Sequence, residues 1–496
     1  MSKRSYDIVA PDPAALIESL RAVGYNLPTA VADILDNSIA AKAKNVYITF
    51  HWAGRDSSVL ILDDGWGMDE EALRNAMRPG SRNPLEERSL TDLGRFGLGL
   101  KTASFSQCRN LCVASKPAKQ TVSTRTWDLD ALASCSEWRL LLDPPAVASE
   151  AIKKLNAMSH GTAVVWSTLD RLVGDELAGH SVAHARFNDA IDHVREHLAL
   201  TYHRFLEDRS LKIYLNDKPV SPWNPFMRSS STPSSATPEE FIPFGKSGVT
   251  FQGFVLPHKD VLTEEEFQKN RGPRGWAAQQ GFYVYRNKRL LVYGDWLRLG
   301  HPSPWTREEH YRLARIRLDI PNDTDAEWHL DVKKSTARPP VLIRDRLTDL
   351  AENVRLTARS VFVHRANYGR RAAPTVPIER PWKSVVRENR RVYSINRDHP
   401  SVQAVVRTFP EKSNELDALL RLLEETVPVE QIWLDAAEQS HDHAAPYAGI
   451  EFSTIKADMR RVLAFLEQTG INHKTAIERL RSIEPFDRYP KLINEL

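Results

Sequence analysis

A chain of 496 residues has room for two to four domains, each long enough to bury a core of its own. Hydrophobic residues make up 42% and charged residues 26%, the balance of an ordinary globular protein. A formal net charge of +3 is too small to imply a nucleic-acid partner by itself, so any basic surface has to be local.

The three cysteines, Cys108, Cys112 and Cys135, form neither a metal-ligand pattern nor an even disulfide set, which suits a reducing cytoplasm. Lys3 and Arg4 are followed by no apolar core, so no signal peptide is expected. No apolar run is long enough to span a bilayer. The expectation is a cytoplasmic protein with no membrane contact.

In chain order, a short helix from Pro13 to Val23 is expected to strap onto a neighbour. A second helix follows Pro28, which suits an opening turn. At 100° per residue Val31, Ile34, Leu35, Ser38 and Ile39 share one face, with Asp33, Asp36, Asn37 and Ala40 opposite. Asp33 and Asn37 stand one turn apart and point the same way. A carboxylate beside an amide oxygen suits a hydrated Mg²⁺ and an attacking water; a merely solvated helix face has the same pattern.

Asn45–Trp52 and Val59–Leu62 read as two strands of a hairpin across a Gly-containing turn. The second strand runs into Asp63-Asp64-Gly65-Trp66-Gly67-Met68. Two glycines at that spacing let backbone approach a ligand, and a carboxylate at a strand end can accept a hydrogen bond from a base amino group. A tight turn would explain the glycines but not the acid pair. Residues 78–93 are polar, with Pro79, Gly80 and Pro84. Gly94-Arg95-Phe96-Gly97-Leu98-Gly99-Leu100-Lys101 then opens a helix whose first N–H groups favour phosphate. The loop is not a Walker A motif, because Leu100 separates Lys101 from Gly99. A glycine-rich turn with a solvated lysine is the plainer alternative.

The ordered set, an acid-x-x-Asp-Asn helix, an Asp-x-Gly-x-Gly turn and a Gly-x-x-Gly-x-Gly-x-Lys loop, resembles the GHKL ATPases. These include DNA gyrase B, the ninety-kilodalton heat-shock chaperones, sensor histidine kinases, MutL and MORC proteins. The run from Gly94 to Ser104 is most similar to the MORC and MutL branch. That resemblance implies ATP and Mg²⁺ as cofactors, with Asn37 as the metal ligand and Asp63 as the acid reading the adenine amino group. It implies that Gly65, Gly67 and Met68 shape the adenine pocket, and that Gly94, Gly97, Leu98, Gly99 and Lys101 hold phosphate.

It also makes Asp33 the water-activating acid, where the family usually has Glu. The missing methylene draws the carboxylate back by about 1.5 Å. A misplacement of about 1 Å can cost on the order of a hundredfold in rate, so slow turnover is expected unless the backbone compensates. The polar segment 78–93 fits a mobile lid.

Further strands are expected near Leu111–Ala114, Thr121–Trp127, Trp138–Leu142 and His160–Trp166. The family resemblance assigns Thr162 to the base pocket; a β-branched strand opener is the alternative. A helix from Ala183 to Phe205 leads to a strand at Leu211–Leu215 and a turn at Asn216-Asp217-Lys218. Residues 227–240, rich in Ser, Thr and Pro, suggest a flexible surface loop. Gly281–Val292 reads as strand, turn and strand, and Arg315–Ile320 as another strand, resembling the transducer domain of MutL and MORC proteins.

The resemblance gives that domain a lysine reaching the γ-phosphate. Lys333 and Lys334 are the candidates, Lys334 preferred because it alternates in phase with Val332; a solvated lysine pair is the alternative.

Between residues 365 and 397 Arg370, Arg371, Arg390 and Arg391 stand among other basic residues, interleaved with Tyr368, Trp382 and Tyr393. That composition suits a phosphate backbone, as in DNA, and equally a solvated linker. Helical patterns at Leu416–Thr426 and Ala457–Thr469 end the chain.

The expected fold class is α+β: a Bergerat-type two-layer α/β sandwich over residues 1–180, an α/β transducer over 181–365, a basic linker over 366–400 and a helical region over 401–496. The resemblance further implies an ATP-dependent homodimeric clamp on DNA, in restriction, phage defence or repair, with a nuclease, helicase or methyltransferase as partner. A chaperone-like clamp on protein clients and a nucleotide switch that never hydrolyses remain as alternatives. A sensor kinase is disfavoured, because neither a membrane span nor a phospho-acceptor helix precedes the motifs.

Overall fold

The computed structural model describes residues 11–496 apart from 23, 81–98, 136, 229, 246–247, 325–326, 330–335, 365–378, 388–389, 430–431, 433–445 and 448. The chain divides into two compact units, Met1–Gly369 and Arg370–Leu496.

The first unit is built on two sheets. Helices α1 (Pro13–Arg21) and α2 (Leu27–Ala40) precede the antiparallel hairpin of β1 (Asn45–His51) and β2 (Ser58–Asp63). Then come α3 (Glu70–Met77), α4 (Gly99–Phe105), β3 (Asn110–Lys116), β4 (Ser123–Asp128), α5 (Leu129–Ala133), α6 (Ser149–Ala157) and β5 (Gly161–Ser167). A long helix α7 (Ser181–Thr201) and a short α8 (His203–Glu207) lead to β6 (Lys212–Leu215) and β7 (Lys218–Pro219). The seven strands form one sheet in the order β4-β3-β5-β2-β1-β6-β7. All neighbours are antiparallel except β1 and β6.

Strand β2 explains the layering. Val59 and Ile61 face a core shared with Val31, Leu35, Val194 and Leu198 of α2 and α7, while Leu62 faces Leu155 of α6 on the opposite side. Both faces are therefore covered, which is why the strand reads as a near-continuous apolar run. Helix α1 packs on its own unit: Ile17 joins the same core, and Arg21 pairs with Asp170 at 2.5 Å and donates to the Cys108 carbonyl at 3.0 Å.

The second sheet contains β8 (Ser235–Ala236), β9 (Glu240–Ile242) and β10 (Val249–Val255). After α9 (Glu264–Lys269) it continues with β11 (Gly281–Arg286), β12 (Arg289–Asp295) and β13 (Ala314–Asp319). Its order is β12-β11-β13-β10-β8, with β9 also on β10, and it packs against α10 (Val341–His364). The two-residue turn Asn287-Lys288 has positive φ at both positions, as a type I′ hairpin demands, and Asn216-Asp217 repeats the device between β6 and β7.

Several boundaries differ from the sequence expectation. Strands β6 and β7, assigned by sequence to the second domain, complete the first sheet instead, so that sheet reaches past residue 180. Parallel pairing of β1 with β6 depends on chain folding back from far away, and no local signal carries it. Residues 138–142 form no strand; Leu141 makes only an isolated bridge to Thr126.

In the second unit, β14 (Trp382–Arg387) and β15 (Arg390–Ile395) form a hairpin, where a basic linker was expected. Helices α11 (Pro400–Thr408), Phe452–Gln468 and His473–Leu480 enclose a core around Ile455, Met459, Leu466, Leu480 and Phe486. The α12 helix (Ser413–Glu425) supplies Asp417 and Glu424, which hold Arg397 at 3.2 and 2.8 Å. Among the described residues no helix is long and apolar enough to cross a membrane.

Candidate functional site

Helix α2 runs beneath the site. The Asn26 side chain caps it by accepting from Thr29 N at 2.9 Å, and Pro28 lies in its first turn. The helical wheel places Asp33, Asp36 and Asn37 on a face that could be solvated. Asn37 is exposed, but Asp33 and Asp36 are only 5% and 3% exposed, which removes that reading for the two acids.

Their burial is compensated by partners far along the chain. Tyr25 donates its hydroxyl to Asp33 Oδ2 at 2.9 Å. Arg289, the first residue of β12, places Nε 2.8 Å from the Asp36 carboxylate and Nη2 3.5 Å from Asp33 Oδ1. The Tyr202 hydroxyl lies 2.8 Å from Asp36 Oδ1 and 2.6 Å from the Ala32 carbonyl.

Burial, then Asp36, keeps the Tyr202 hydroxyl protonated well above its usual range, and burial with Asp33 does the same for Tyr25. Burial opposes the Arg289 charge, yet Asp36, Tyr202 and Asp33 outweigh it and hold the guanidinium pKa above normal. The Asn37 amide nitrogen donates to the Asp33 carbonyl at 3.1 Å, which leaves the amide oxygen as the atom able to ligate a cation. Mg²⁺ bound with a nucleotide needs one or two such protein oxygens, so the side chain fits that role.

At the other end of α2, Ser38 donates to Asp63 Oδ2 at 2.7 Å and Gly65 N to Oδ1 at 2.9 Å. Burial raises the Asp63 pKa, partly offset by those two donors. Each carboxylate oxygen keeps acceptor capacity for a further donor such as an adenine amino group. Thr162 stands opposite Asp63 across the β2–β5 pair, and its hydroxyl lies 2.8 Å from Ser115 Oγ. Ser115 in turn accepts from Met68 N at 2.8 Å.

The acid pair divides its work. Asp64 accepts from Lys44 N, Asn45 N and the Asn45 side chain, pinning the start of β1. Those bonds outweigh its partial burial and lower its pKa. Gly67 has φ +73°, and a Cβ there would sit 2.1 Å from the Lys116 carbonyl. Its glycine is thus required by contact with the end of β3.

The glycine-rich segment ends at Gly99, which opens α4. A Cβ on Gly99 would lie 3.8 Å from Asp33 Oδ2, so the last glycine of the loop faces the acid. Lys101 is buried, its Nζ donating to the Ala76 carbonyl at the end of α3 at 2.8 Å, which excludes the solvated-lysine alternative. Gly94, Gly97, Leu98, most of the expected lid, Lys333, Lys334, Arg370 and Arg371 lie outside the described residues. Arg390 and Arg391 lie on β15, 20 and more residues before α12.

Sequence reasoning missed Tyr25, Ser115, Tyr202 and Arg289. Of these, Arg289 had a readable signal: an arginine immediately after a type I′ turn, at the head of an otherwise apolar strand.

Residues 25–162 match the family model described as histidine kinase-, DNA gyrase B-, and HSP90-like ATPase. Protein MICRORCHIDIA 6 of Arabidopsis thaliana is 33% identical over 102 residues, which cover 20% of this chain. The matched stretch spans 15% of that relative's length.

Proposed function

We propose that residues 25–162, which match the ATPase family model, form a GHKL-type, MORC-like ATPase module, and that the protein binds Mg·ATP, hydrolyses it slowly and uses it to gate a homodimeric clamp on DNA. One observation carries the nucleotide part. A single helix, α2, holds the Asp63 carboxylate through Ser38 and, five residues earlier, presents Asp33 beside Gly99. Ser38 and Asp33 thereby stand about 7.5 Å apart along one helix axis.

In this reading Asp63, Thr162, Gly65, Gly67 and Met68 form the adenine end. Asn37 ligates Mg²⁺, while Gly94, Gly97, Leu98, Gly99 and Lys101 hold phosphate. ATP supplies the transferable phosphoryl group; Asp33 takes the proton of the attacking water. Lys334, or its neighbour Lys333, adds positive charge at the γ-phosphate from the second domain. The basic stretch with Arg370, Arg371, Arg390 and Arg391 supports DNA as client. The cytoplasm as its compartment, a role in restriction, phage defence or repair, and a nuclease, helicase or methyltransferase partner, extend the same proposal.

A nucleotide switch without hydrolysis is the second reading. The pairing of Asp33 with the buried Arg289 favours it, because a carboxylate beside a guanidinium is a weaker base. Phosphate release under saturating Mg·ATP, beside calorimetric binding of ATP, separates the two. Turnover abolished by Asp33→Asn supports hydrolysis. Tight binding with no release in the wild type supports the switch, and no binding overturns both.

A further inference from the structure

Arg289 is the place where the second sheet enters the ATPase module. The positive-φ turn at Asn287-Lys288 fixes it as the first residue of β12. Its Nη1 donates to the Leu290 carbonyl at 3.0 Å, so the guanidinium is anchored to its own strand. The remaining edge of the fork reaches two carboxylates on α2, one of them the acid assigned to water activation.

Other bonds join the module to the second sheet without touching α2. Arg204 of α8 pairs with Asp319 at 2.5 Å and stacks 3.5 Å over the Tyr285 ring, and His203 Nε2 lies 2.8 Å from the Tyr285 hydroxyl. Those contacts hold the junction together. Arg289 connects β12 directly to both Asp33 and Asp36.

We propose that Arg289 is a positioning residue that couples the nucleotide pocket to the second sheet. It holds Asp33 in place against the phosphate loop, and it carries any displacement of the two acids to the β11–β12 hairpin. This rests on the ATPase reading above. A planar guanidinium fixes the angle between two acceptors, which a lysine ammonium cannot do although it keeps the charge. A shortened acid also gains most from such a clamp: Tyr25 and Arg289 together leave the Asp33 carboxylate little freedom.

The test is hydrogen–deuterium exchange on the full chain, with and without ADP and a non-hydrolysable ATP analogue, alongside calorimetry and phosphate release. In the wild type, nucleotide protects residues 27–40 and also 281–295. Arg289→Lys keeps protection at 27–40 and nucleotide affinity within about threefold, since neither depends on the fork. It loses protection at 281–295, and turnover at saturating ATP falls on the order of a hundredfold. Arg204→Lys, the junction control, retains both regions of protection.

If Arg289→Lys does not fold, Arg289→Gln with Asp36→Asn is read in its place, because that pair removes one buried charge of each sign. The inference is overturned if the variant still transmits protection to 281–295, if Arg204→Lys loses it equally, or if the wild type protects 27–40 alone. A wild type in which nucleotide protects nothing overturns the ATPase reading first, and this inference with it.

Discussion

Ser38 donates its hydroxyl to Asp63 across 2.7 Å, fastening the last turn of helix α2 to the last residue of strand β2. The bond both orients the carboxylate and offsets part of the cost of burying it. Asp63→Asn replaces an acceptor with a donor and is expected to weaken ATP binding by about 1.5–3 kcal/mol, the worth of a hydrogen bond to a charged group. Ser38→Ala is expected to cost about 1 kcal/mol of affinity through lost orientation. Calorimetry checks both, and unchanged affinity in Asp63→Asn removes the pocket assignment.

Asp33 is expected to act on water and not on the nucleotide. Asp33→Asn should therefore lower turnover by about a hundredfold or more while changing ATP affinity little. Tyr25→Phe removes one of the donors holding the carboxylate and is expected to cost about 1 kcal/mol of stability. Phosphate release and urea melts read these effects separately. Wild-type turnover in Asp33→Asn would transfer the role to Asp36.

His197 lies on α7 near Arg289, Asp36 and Arg274, and its Nε2 is 3.3 Å from Thr201 Oγ1. Burial, then the Arg289 charge, pushes its pKa down to about 4 against the pull of Asp36. The folded protein thus refuses a proton that the unfolded chain accepts near pH 6.5. Stability is level above that pH and falls as pH drops toward 4. The loss is on the order of 1–3 kcal/mol for this group. His203 and His399 are also lowered by burial and add to the same slope. His197→Gln should flatten the dependence without abolishing it, as urea midpoints at several pH values would record. A slope unchanged by the substitution would refute the assignment.

Gly67→Ala tests whether the glycine serves the fold or the ligand. A positive φ combined with a Cβ 2.1 Å from the Lys116 carbonyl admits no side chain without moving backbone. The expected cost is about 2–4 kcal/mol of stability, seen as a lower melting temperature. Native stability with lost ATP affinity would instead assign the glycine to ligand approach.

The DNA reading is tested by salt. Replacing Arg370, Arg371, Arg390 and Arg391 with Glu should weaken DNA binding and reduce the log–log salt slope by roughly one unit for each phosphate no longer neutralised by an arginine. Basal phosphate release is expected to stay the same. Equal affinity of wild type and variant, or no wild-type binding at low salt, would favour a protein client.

Local chemistry was legible and long-range chemistry was not. Hairpins at Asn216-Asp217 and Asn287-Lys288 could be read because two positive-φ turn residues between strands are a purely local demand. The β1–β2 pair was legible from two apolar runs on either side of a glycine turn. The burial of Asp36 was not, since its partners Tyr202 and Arg289 stand 166 and 253 residues away. A helical wheel ranks residues by polarity and has no knowledge of an arginine arriving from another sheet. Lys101 illustrates the same limit: its loop could be found, but its destination, the Ala76 carbonyl, belongs to a helix with no motif of its own to mark it.

The parallel pairing of β1 with β6 bears on how the chain is made. Asn45 to Ile48 hydrogen-bond with Lys212 to Leu215, and the Tyr47 and Tyr214 rings stack 5.1 Å apart across the seam. Between those partners lies most of the module. At the usual pace of a ribosome, β6 emerges on the order of ten seconds or more after β1. For that interval β1 presents a bare edge to every other nascent chain. Any fragment ending near residue 180 would keep that edge open permanently, and would be expected to collect in inclusion bodies where the longer chain stays in solution.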